Sequence, residues 1–211
     1  MRCLVIVAHP DDETIWMGGT IIRYSNIKWH VLSLCRGDDP ERAPRFIRAT
    51  NELGAQALMS DLDDTSPQLS SLSSDLHEIK DRVSAYALYD YDVIFTHGPN
   101  GEYQHKRHTQ VYNAVKEMAE EGRLTGELLL FAYNYCGIGC PPKPASDAHF
   151  RIELTTHEYE QKQHIIRDIY GFTKGSFEFD SAGSTEAFSF NIFKPSNNPL
   201  EVMEIASAAS I

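Results

Sequence analysis

Short β-branched segments alternate with longer segments of helical periodicity along most of the chain. The pattern predicts strands at residues 3–8, 29–35, 93–96, 128–132 and 150–154. It predicts helices near residues 13–24, 41–53, 74–88, 107–121 and 156–170. Parallel strands need a helix between them, and such helices cover both faces of the sheet. The sequence therefore predicts an α/β fold, a three-layer sandwich with a mainly parallel sheet.

The length of the chain suits one domain. It has 211 residues, of which 42% are hydrophobic, and this is enough to bury a substantial core. No change of composition marks a linker between two domains. We therefore expect a single domain over residues 1–196, followed by a loose tail over residues 197–211.

The charge of the chain argues against one class of partner. The 30 acidic and 19 basic residues give a formal net charge of -11 at pH 7, which would repel a phosphate backbone. The first apolar run is also far shorter than the roughly 20 residues of a membrane-spanning helix. We expect no nucleic-acid partner, no membrane span and a cytoplasmic location.

The four cysteines form no obvious disulfide framework. Cys3 and Cys35 fall in predicted strands, which fits a reducing compartment. The Cys136-Gly-Ile-Gly-Cys140 segment could bind a metal or form a disulfide. A C-x3-C pair without a second pair is a weak metal signal, however. The favoured interpretation is two ordinary, unpaired loop cysteines.

Two clusters of imidazoles and carboxylates follow predicted strands. His9-x-x-Asp12 comes after the first strand, and His105-x-x-His108 comes after the strand that ends at Thr96. Ligands of open α/β sheets bind outside the carboxyl ends of the strands. A catalytic zinc typically keeps three nitrogen or oxygen ligands from the protein and one open position. Two histidines and one carboxylate would meet this count.

Each cluster also has a purely structural interpretation. Asp11 and Asp12 can cap the helix that begins near Glu13, where the helix dipole favours carboxylates. His105 and His108 can be exposed rings at a polar helix start. Residues three apart at a helix start lie on the same side. The spacing alone therefore does not decide which of these two histidines would bind a metal.

At these residues the chain resembles a known family. The string AHPDDE after the first strand and the later stretch THGPNGEYQHKRH are similar to segments of the zinc-dependent N-deacetylases of the PIG-L or LmbE-like group. The likeness extends to about Phe172, because Arg151-Ile-Glu-Leu-Thr155 and Lys162 resemble the family's late strand and following helix. It implies a Rossmann-like fold and the hydrolysis of an amide.

The resemblance also implies a role for each residue of the two clusters. His9, Asp12 and His108 would hold one zinc ion per chain. Asp11 would be the general base, and His105 would stabilise the transition state. Zinc would be the natural metal for this donor set, although another divalent ion would fit it as well.

Two further residues match substrate-binding positions of the family. Tyr103 matches a tyrosine that contacts the reacting carbonyl in some members. Arg42, twelve residues before Gly54, matches an arginine that contacts substrate, although a solvated helix face explains it equally well. Many members have Gly-His-Pro-Asp-His where this chain has Gln104-His105-Lys106-Arg107-His108, and they often have an acidic residue at the position of Arg45. These departures concern the rim of the pocket and hence the substrate.

The resulting hypothesis is a zinc-dependent hydrolase. It would remove an N-acyl group, most naturally acetyl, from a small N-acetylglucosamine-type conjugate. The alternative is a non-catalytic metal-binding or sensing module on the same fold, but a pure binder has no need of a base beside its ligands. Neither the G-x-S-x-G motif of serine hydrolases nor the G-x-G-x-x-G motif of dinucleotide-binding proteins is present. Oligomerisation stays open.

Overall fold

The computed structural model describes residues 1–64 and 72–191, with the side chains of residues 72–74 excepted. The expected tail at residues 197–211, and the end of the expected domain beyond residue 191, lie outside the described residues. Among the helices of the described ranges, none has the length and apolar character that crossing a membrane requires.

Strands and helices alternate through the first two thirds of the chain. The strands are β1 (Arg2–Val7), β2 (Lys28–Cys35), β3 (Gln56–Leu62), β4 (Val93–Thr96), β5 (Glu127–Phe131), β6 (Tyr133–Asn134), β7 (Lys143–Pro144), β8 (Phe150–Glu153) and β9 (Thr185–Phe190). The helices are α1 (Asp12–Arg23), α2 (Arg42–Glu52), α3 (Leu72–Tyr86), α4 (Gly101–Gln104), α5 (Lys106–Glu120), α6 (Thr156–His164) and α7 (Phe177–Ser181).

Seven of these strands form one central sheet in the order β3-β2-β1-β4-β5-β9-β8, and β6 and β7 form a separate ribbon. The first five strands of this order are parallel. The last two are added in antiparallel pairings, β5 with β9 and β9 with β8. The sheet is therefore mainly parallel, as the sequence predicts.

Side chains of β1 enter two separate apolar cores. Val5 and Val7 belong to a core that includes Trp16 of α1 and Phe46 of α2, whereas Ile6 belongs to a core built on α3 and α5. Successive residues of a strand point to opposite faces, so helices cover both faces of the sheet. The predicted three-layer α/β fold is confirmed.

The structure differs from the sequence prediction at several elements. The strands β3 and β9, the short ribbon of β6 and β7, and the short helices α4 and α7 were not predicted. The segment predicted as one helix over residues 156–170 is α-helical only to His164 and continues as a π-helical turn over Ile165–Ile169. The start of that helix agrees with prediction, because Thr155 caps α6 in a complete capping box with Glu158.

The structure joins Cys136 and Cys140 in a disulfide, contrary to the interpretation as unpaired loop cysteines. Gly137 and Gly139 have φ values of 119° and 73°, a region that glycine enters without steric cost. These two residues reverse the chain and bring the cysteine Cα atoms to 5.7 Å, within the range that a disulfide spans. Cys3 and Cys35 are free and buried.

The central pair of strands positions the site. β1 and β4 are neighbours in the sheet, and Ile6 is paired with Thr96 near their carboxyl ends. Parallel strands deliver the segments that follow them to the same edge of the sheet. The loop that begins at Ala8 and the segment that begins at His97 therefore meet there.

Candidate metal centre

The chain leaves β1 through a strained turn. Asp11 has a φ of 124°, a region that residues other than glycine rarely adopt. Its amide donates to Oε2 of Glu13 at 3.1 Å, and its carbonyl accepts from the amides of Thr14 and Ile15, each at 2.9 Å. These bonds hold a conformation that costs about 1–3 kcal/mol, as backbone strain at functional sites often does.

The segment after β4 is irregular as well. Glu102 and Gln104 have φ values of 57° and 67°, and the side chain of Asn100 accepts from the amide of Glu102 at 3.2 Å. α4 is therefore a distorted turn, and a regular helix begins only with α5. This turn puts the fully buried carboxylate of Glu102 beside the equally buried ring of His108.

Three donor atoms from the two loops converge on one point. Nδ1 of His9 lies 3.2 Å from Nε2 of His108. Oδ2 of Asp12 lies 3.4 Å from each of these two nitrogens. A tetrahedral ion with bonds of about 2.0–2.1 Å needs ligand atoms about 3.3–3.4 Å apart. The triangle therefore has the dimensions of three zinc ligands, the number that a catalytic zinc keeps.

Glu102 fixes which nitrogen of His108 faces this triangle. Oε2 of Glu102 accepts from Nδ1 of His108 at 2.6 Å and from Nδ1 of His97 at 2.8 Å. Burial alone would raise the pKa of Glu102, but the two imidazoles outweigh it and hold the pKa at about 2. An ionised carboxylate only accepts, so Nδ1 of His108 carries the proton and the lone pair of Nε2 faces Asp12.

His97 is close to the triangle but has no free nitrogen. Its Nε2 accepts from the amide of Ala8 at 2.9 Å, and its Nδ1 donates to Glu102. Its ring stacks on that of His108 with centroids 3.9 Å apart. His97 therefore supports the site without being suited to bind a metal.

Asp64 orients the ring of His9 in the same way that Glu102 orients the ring of His108. Oδ2 of Asp64 lies 3.0 Å from Nε2 of His9. Burial favours the neutral ring of His9, but its bonds to Asp12 and Asp64 outweigh burial and raise its pKa to about 10. Each imidazole of the triangle thus has one nitrogen on a carboxylate outside it, the arrangement that orients metal-binding histidines.

Cys35 completes another candidate set with His9 and Asp64. Burial raises the pKa of the Cys35 thiol to about 12. Because the thiolate is the form that binds a metal, this set is chemically less suited than the triangle.

His105 is the one predicted site residue whose role the distances leave open. Its ring centroid lies 4.8 Å from that of His9 and 4.5 Å from that of His108, and its ligand atom lies within 4.8 Å of theirs. Nδ1 of His105 is buried without a hydrogen-bond partner among the described residues. Burial, together with the charges of His108 and His9, lowers its pKa to about 3. The neutral ring is therefore strongly favoured.

Asp11 lies outside the triangle and is bound by an arginine. Nη1 of Arg42 donates to Oδ2 of Asp11 at 3.0 Å, and the guanidinium also stacks over the ring of Phe172 at 5.0 Å. Burial and the charge of Asp12 raise the pKa of Asp11 well above its usual range, although Arg42 opposes them. A raised pKa makes this carboxylate a stronger base than an ordinary aspartate.

The predicted site residues share one cavity of about 170 Å³. Tyr103 forms part of its wall, with its ring 4.7 Å from that of Phe177 and 6.3 Å from that of Trp16. Six of the seven predicted site residues line the cavity: His9, Asp11, Asp12, Arg42, Tyr103 and His105. The seventh, His108, is fully buried beside them.

Sequence reasoning did not assign roles to four residues of this site. Glu102 and His97 lie in the second motif, where a carboxylate five residues from an imidazole was an available signal. Asp64 is the second residue after the unpredicted strand β3. The indole of Trp16 donates to Oδ1 of Asp12 at 3.0 Å, a contact that its position in an apolar helix pattern does not indicate.

The fold and the site together define a three-layer α/β protein with a candidate metal centre at the carboxyl ends of its two central strands. The family model described as GlcNAc-PI de-N-acetylase, PIG-L, matches residues 4–119. This match covers more than half of the 211 residues, so the chain belongs to the PIG-L family. The resemblance stated from the two motifs is confirmed.

Relatives and solved structures agree with this assignment. The 1D-myo-inositol 2-acetamido-2-deoxy-alpha-D-glucopyranoside deacetylase of Actinosynnema mirum is 41% identical over 58 residues, which are 26% of this chain and 19% of that protein. The match thus spans about a fifth of the length of that relative.

Two solved structures are similar over almost the whole chain. A deacetylase from the biosynthesis pathway of teicoplanin has a TM-score of 0.67 at 13% identity, over 92% of this chain and 100% of that one. GalB, the 4-carboxy-2-hydroxymuconate hydratase from Pseudomonas putida KT2440, has a TM-score of 0.64 at 15% identity, over 93% and 98%. At these identities the likeness concerns the fold.

Proposed function

We propose that this protein is a zinc-dependent N-deacetylase that hydrolyses the amide of a small N-acetylated sugar conjugate. The triangle of His9, Asp12 and His108 carries the proposal, because its edges of 3.2 to 3.4 Å match the ligand spacing of zinc. Membership of the PIG-L family supports the same reaction. A zinc ion bound there would lower the pKa of a bound water from 15.7 toward about 7.

Asp11 is the proposed general base. Its carboxylate lines the cavity beside the triangle without belonging to it, and its raised pKa suits uptake of a proton from water. Asp11 then returns this proton to the nitrogen of the leaving amine. Arg42 holds one oxygen of Asp11 and so leaves the other available for the water.

His105 is the proposed donor to the oxygen of the reacting carbonyl. Burial keeps its ring neutral, and a neutral imidazole donates a hydrogen bond while keeping its proton. One well-placed donor of this kind is worth roughly 3–4 kcal/mol in the transition state. Tyr103 packs against the His105 ring, with centroids 5.4 Å apart, and completes the wall on this side.

The proposed substrate class follows from the relatives and from the space in the site. Two relatives are named as deacetylases of an acetamido-deoxy-glucopyranoside. The cavity is smaller than the roughly 300–1,000 Å³ of pockets that enclose drug-sized ligands, so it fits the acetamido end of a sugar.

A second depression of about 740 Å³ shares Arg36 and Asp64 with this cavity and is lined by five further acidic side chains. Carboxylates accept from hydroxyl groups and repel anions, which favours a neutral, hydroxyl-rich remainder.

Two other functions remain on the same fold. A non-catalytic metal-binding or sensing module would have no use for Asp11 beside the triangle. A hydratase is known on this fold, but such an enzyme adds water to a double bond and releases no amine.

A cytoplasmic location stays a prediction from the sequence.

The test is an assay of the purified protein on matched substrates, with metal analysis of the same sample. N-acetylglucosamine, a β-linked N-acetylglucosamine conjugate and N-acetylalanine would be compared by the release of a primary amine. We expect about one zinc per chain, amine release from the sugars only, and loss of activity on chelation with recovery on added zinc. A zinc-loaded, folded protein that releases no amine from any of them would contradict the proposal.

A further inference from the structure

Helix α1 is interrupted in its middle, directly after a residue of the cavity wall. Met17 has φ and ψ values of -150° and 15°, which are not helical. Trp16, the residue before it, lines the cavity. Gly18 and Gly19 follow, and a Cβ at Gly19 would collide with the side chain of Leu154 unless that side chain moved.

The groups that an uninterrupted helix would bond internally have partners elsewhere. The amides of Gly19 and Thr20 would donate to the carbonyls four residues earlier. Here they donate to Oε1 and Oε2 of Glu186 at 2.8 and 2.7 Å. The hydroxyl of Thr20 adds a third bond to Oε2 at 2.6 Å. On the other side of the interruption, the carbonyl of Trp16 accepts from the hydroxyl of Tyr133 at 2.9 Å.

Glu186 thus caps the second half of α1 from within the protein. A carboxylate is well suited to this, because the first amides of a helix carry partial positive charge. The carboxylate of Glu186 is fully buried, and so is Lys162, whose Nζ lies 2.7 Å from Oε1. A second bond joins Nζ to the carbonyl of Gly183 at 3.1 Å. The charge of the cap is therefore balanced by an ion pair that solvent does not reach.

The interruption comes directly after Trp16, and Trp16 contacts a ligand of the proposed zinc. The indole nitrogen of Trp16 donates to Oδ1 of Asp12, which leaves Oδ2 facing His9 and His108. The indole ring also packs against Tyr133, with centroids 4.9 Å apart. Trp16 is thus held at two points, its backbone carbonyl by Tyr133 and its indole nitrogen by Asp12.

We infer that Glu186 is a positioning residue, which caps α1 at its interruption and thereby holds Trp16 and Asp12 in place for the deacetylation. Lys162 is its counter-ion. The catalytic meaning of this inference rests on the proposed function, whereas the structural link from Glu186 to Trp16 does not.

The chain contains a matched control for this ion pair. Arg23 of α1 and Glu158 of α6 form a second ion pair, in which Nη2 lies 2.6 Å from Oε2. It joins α1 to the same helix that carries Lys162, but it lies at the end of α1 and touches neither Trp16 nor the interruption. Glutamine can keep the capping bond of Glu158 to the amide of Thr155, so Glu158→Gln reports what the loss of an α1 to α6 ion pair does by itself.

Trp16 provides a readout that needs no substrate. The protein has two tryptophans, so Trp29→Phe leaves Trp16 as the only source of indole fluorescence. In this background we expect Glu186→Gln to move the emission to longer wavelength and to increase quenching by acrylamide. Glu158→Gln should change neither. Thr20→Val removes a single bond to Glu186 and should shift the emission in the same direction by less.

Zinc affinity and kinetics test whether the effect reaches the site. Loss of a direct partner of a metal ligand weakens metal binding roughly 10- to 100-fold. Because Glu186 acts through Trp16, we expect Glu186→Gln to weaken zinc binding by at most about tenfold and to lower kcat more than it raises KM. Trp16 emission that is the same in Glu186→Gln and Glu158→Gln would overturn the inference. If Glu186→Gln does not fold, unchanged emission in Thr20→Val would overturn it equally. If Glu186→Gln shifts the emission but the wild-type protein hydrolyses no N-acetylated substrate, the proposed function is wrong and the positioning role of Glu186 stands.

Discussion

Nη1 of Arg42 and Oδ2 of Asp11 form an ion pair of 3.0 Å that ties α2 to the strained turn after β1. Sequence comparison with the family placed Arg42 on the substrate, whereas the structure places it on the proposed base. Arg42 can contact the substrate and Asp11 together, because a guanidinium has five donors and the bond to Asp11 uses one from Nη1. Replacement of Asp11 tests most directly whether this residue is the general base.

Asp11→Asn should leave the fold and the zinc content near normal and cut turnover by roughly 10²–10⁴, the usual worth of a positioned base. Asparagine tolerates a positive φ better than most residues, so the turn should survive the change. Elemental analysis and kcat on the same preparation would check this. Full activity in Asp11→Asn would mean that the base is another residue.

His108→Ala and His105→Ala should fail in different ways. Nε2 of His108 belongs to the donor triangle, so His108→Ala should be purified poor in zinc and regain some activity when zinc is added. His105→Ala should keep its zinc and lose roughly 10²–10³ in kcat with little change in KM, as loss of a transition-state donor does. His149→Ala, at an exposed position, is the control. A zinc-poor His105→Ala beside a zinc-replete His108→Ala would reverse the two roles.

The fold and the candidate metal ligands can be predicted from the sequence, whereas the residues that orient those ligands largely cannot. β1 and β4 are buried on both faces, so their apolar runs are continuous and easily predicted. β3 is an edge strand in which only Ser60 and Leu62 are fully buried, and its pattern is correspondingly weak. Asp64, which supports His9, comes after that strand and was missed with it.

Contacts between distant segments explain the rest of what was missed. Glu186 and Thr20 are 166 positions apart, and no local pattern indicates that a carboxylate near the end of the described chain caps a helix near its start. The chain reversal at Gly137 and Gly139 is local. Whether the flanking cysteines pair nevertheless depends on the backbone dihedral angles of this segment, which the sequence does not specify.

The ion pair of Glu158 with Arg23 should make stability depend on pH in acid. The hydrogen bond from Arg23, the largest influence, lowers the pKa of Glu158 from 4.5 to about 2. The contribution of the pair is therefore complete above about pH 4.5 and is lost as the pH falls toward 2. Urea unfolding should show wild type more stable than Glu158→Gln by about 1 kcal/mol at pH 7, with the difference shrinking below pH 4.5. A difference that stays constant down to pH 2.5 would contradict this account.

The cysteines should react with thiol reagents in two stages. Burial raises the pKa of both Cys3 and Cys35 to about 12, so neither should react in the folded protein. Folded, unreduced protein should therefore give no reaction, and mild reduction should release two thiols from Cys136 and Cys140. Unfolding with reductant should give four. Two reactive thiols in freshly isolated protein that was never reduced would indicate that this pair is open in its native compartment.

The nitrogens of His9 and His108 that meet at 3.2 Å belong to residues 99 positions apart. Bringing them together requires β1 and β4 to pair, and chain entropy opposes such distant contacts until much of the topology has formed. The donor triangle should therefore be absent from early folding intermediates and form only at a late stage of folding. An ion bound here would link the two central strands of the sheet and, because it binds the folded chain alone, would stabilise the folded state against unfolding.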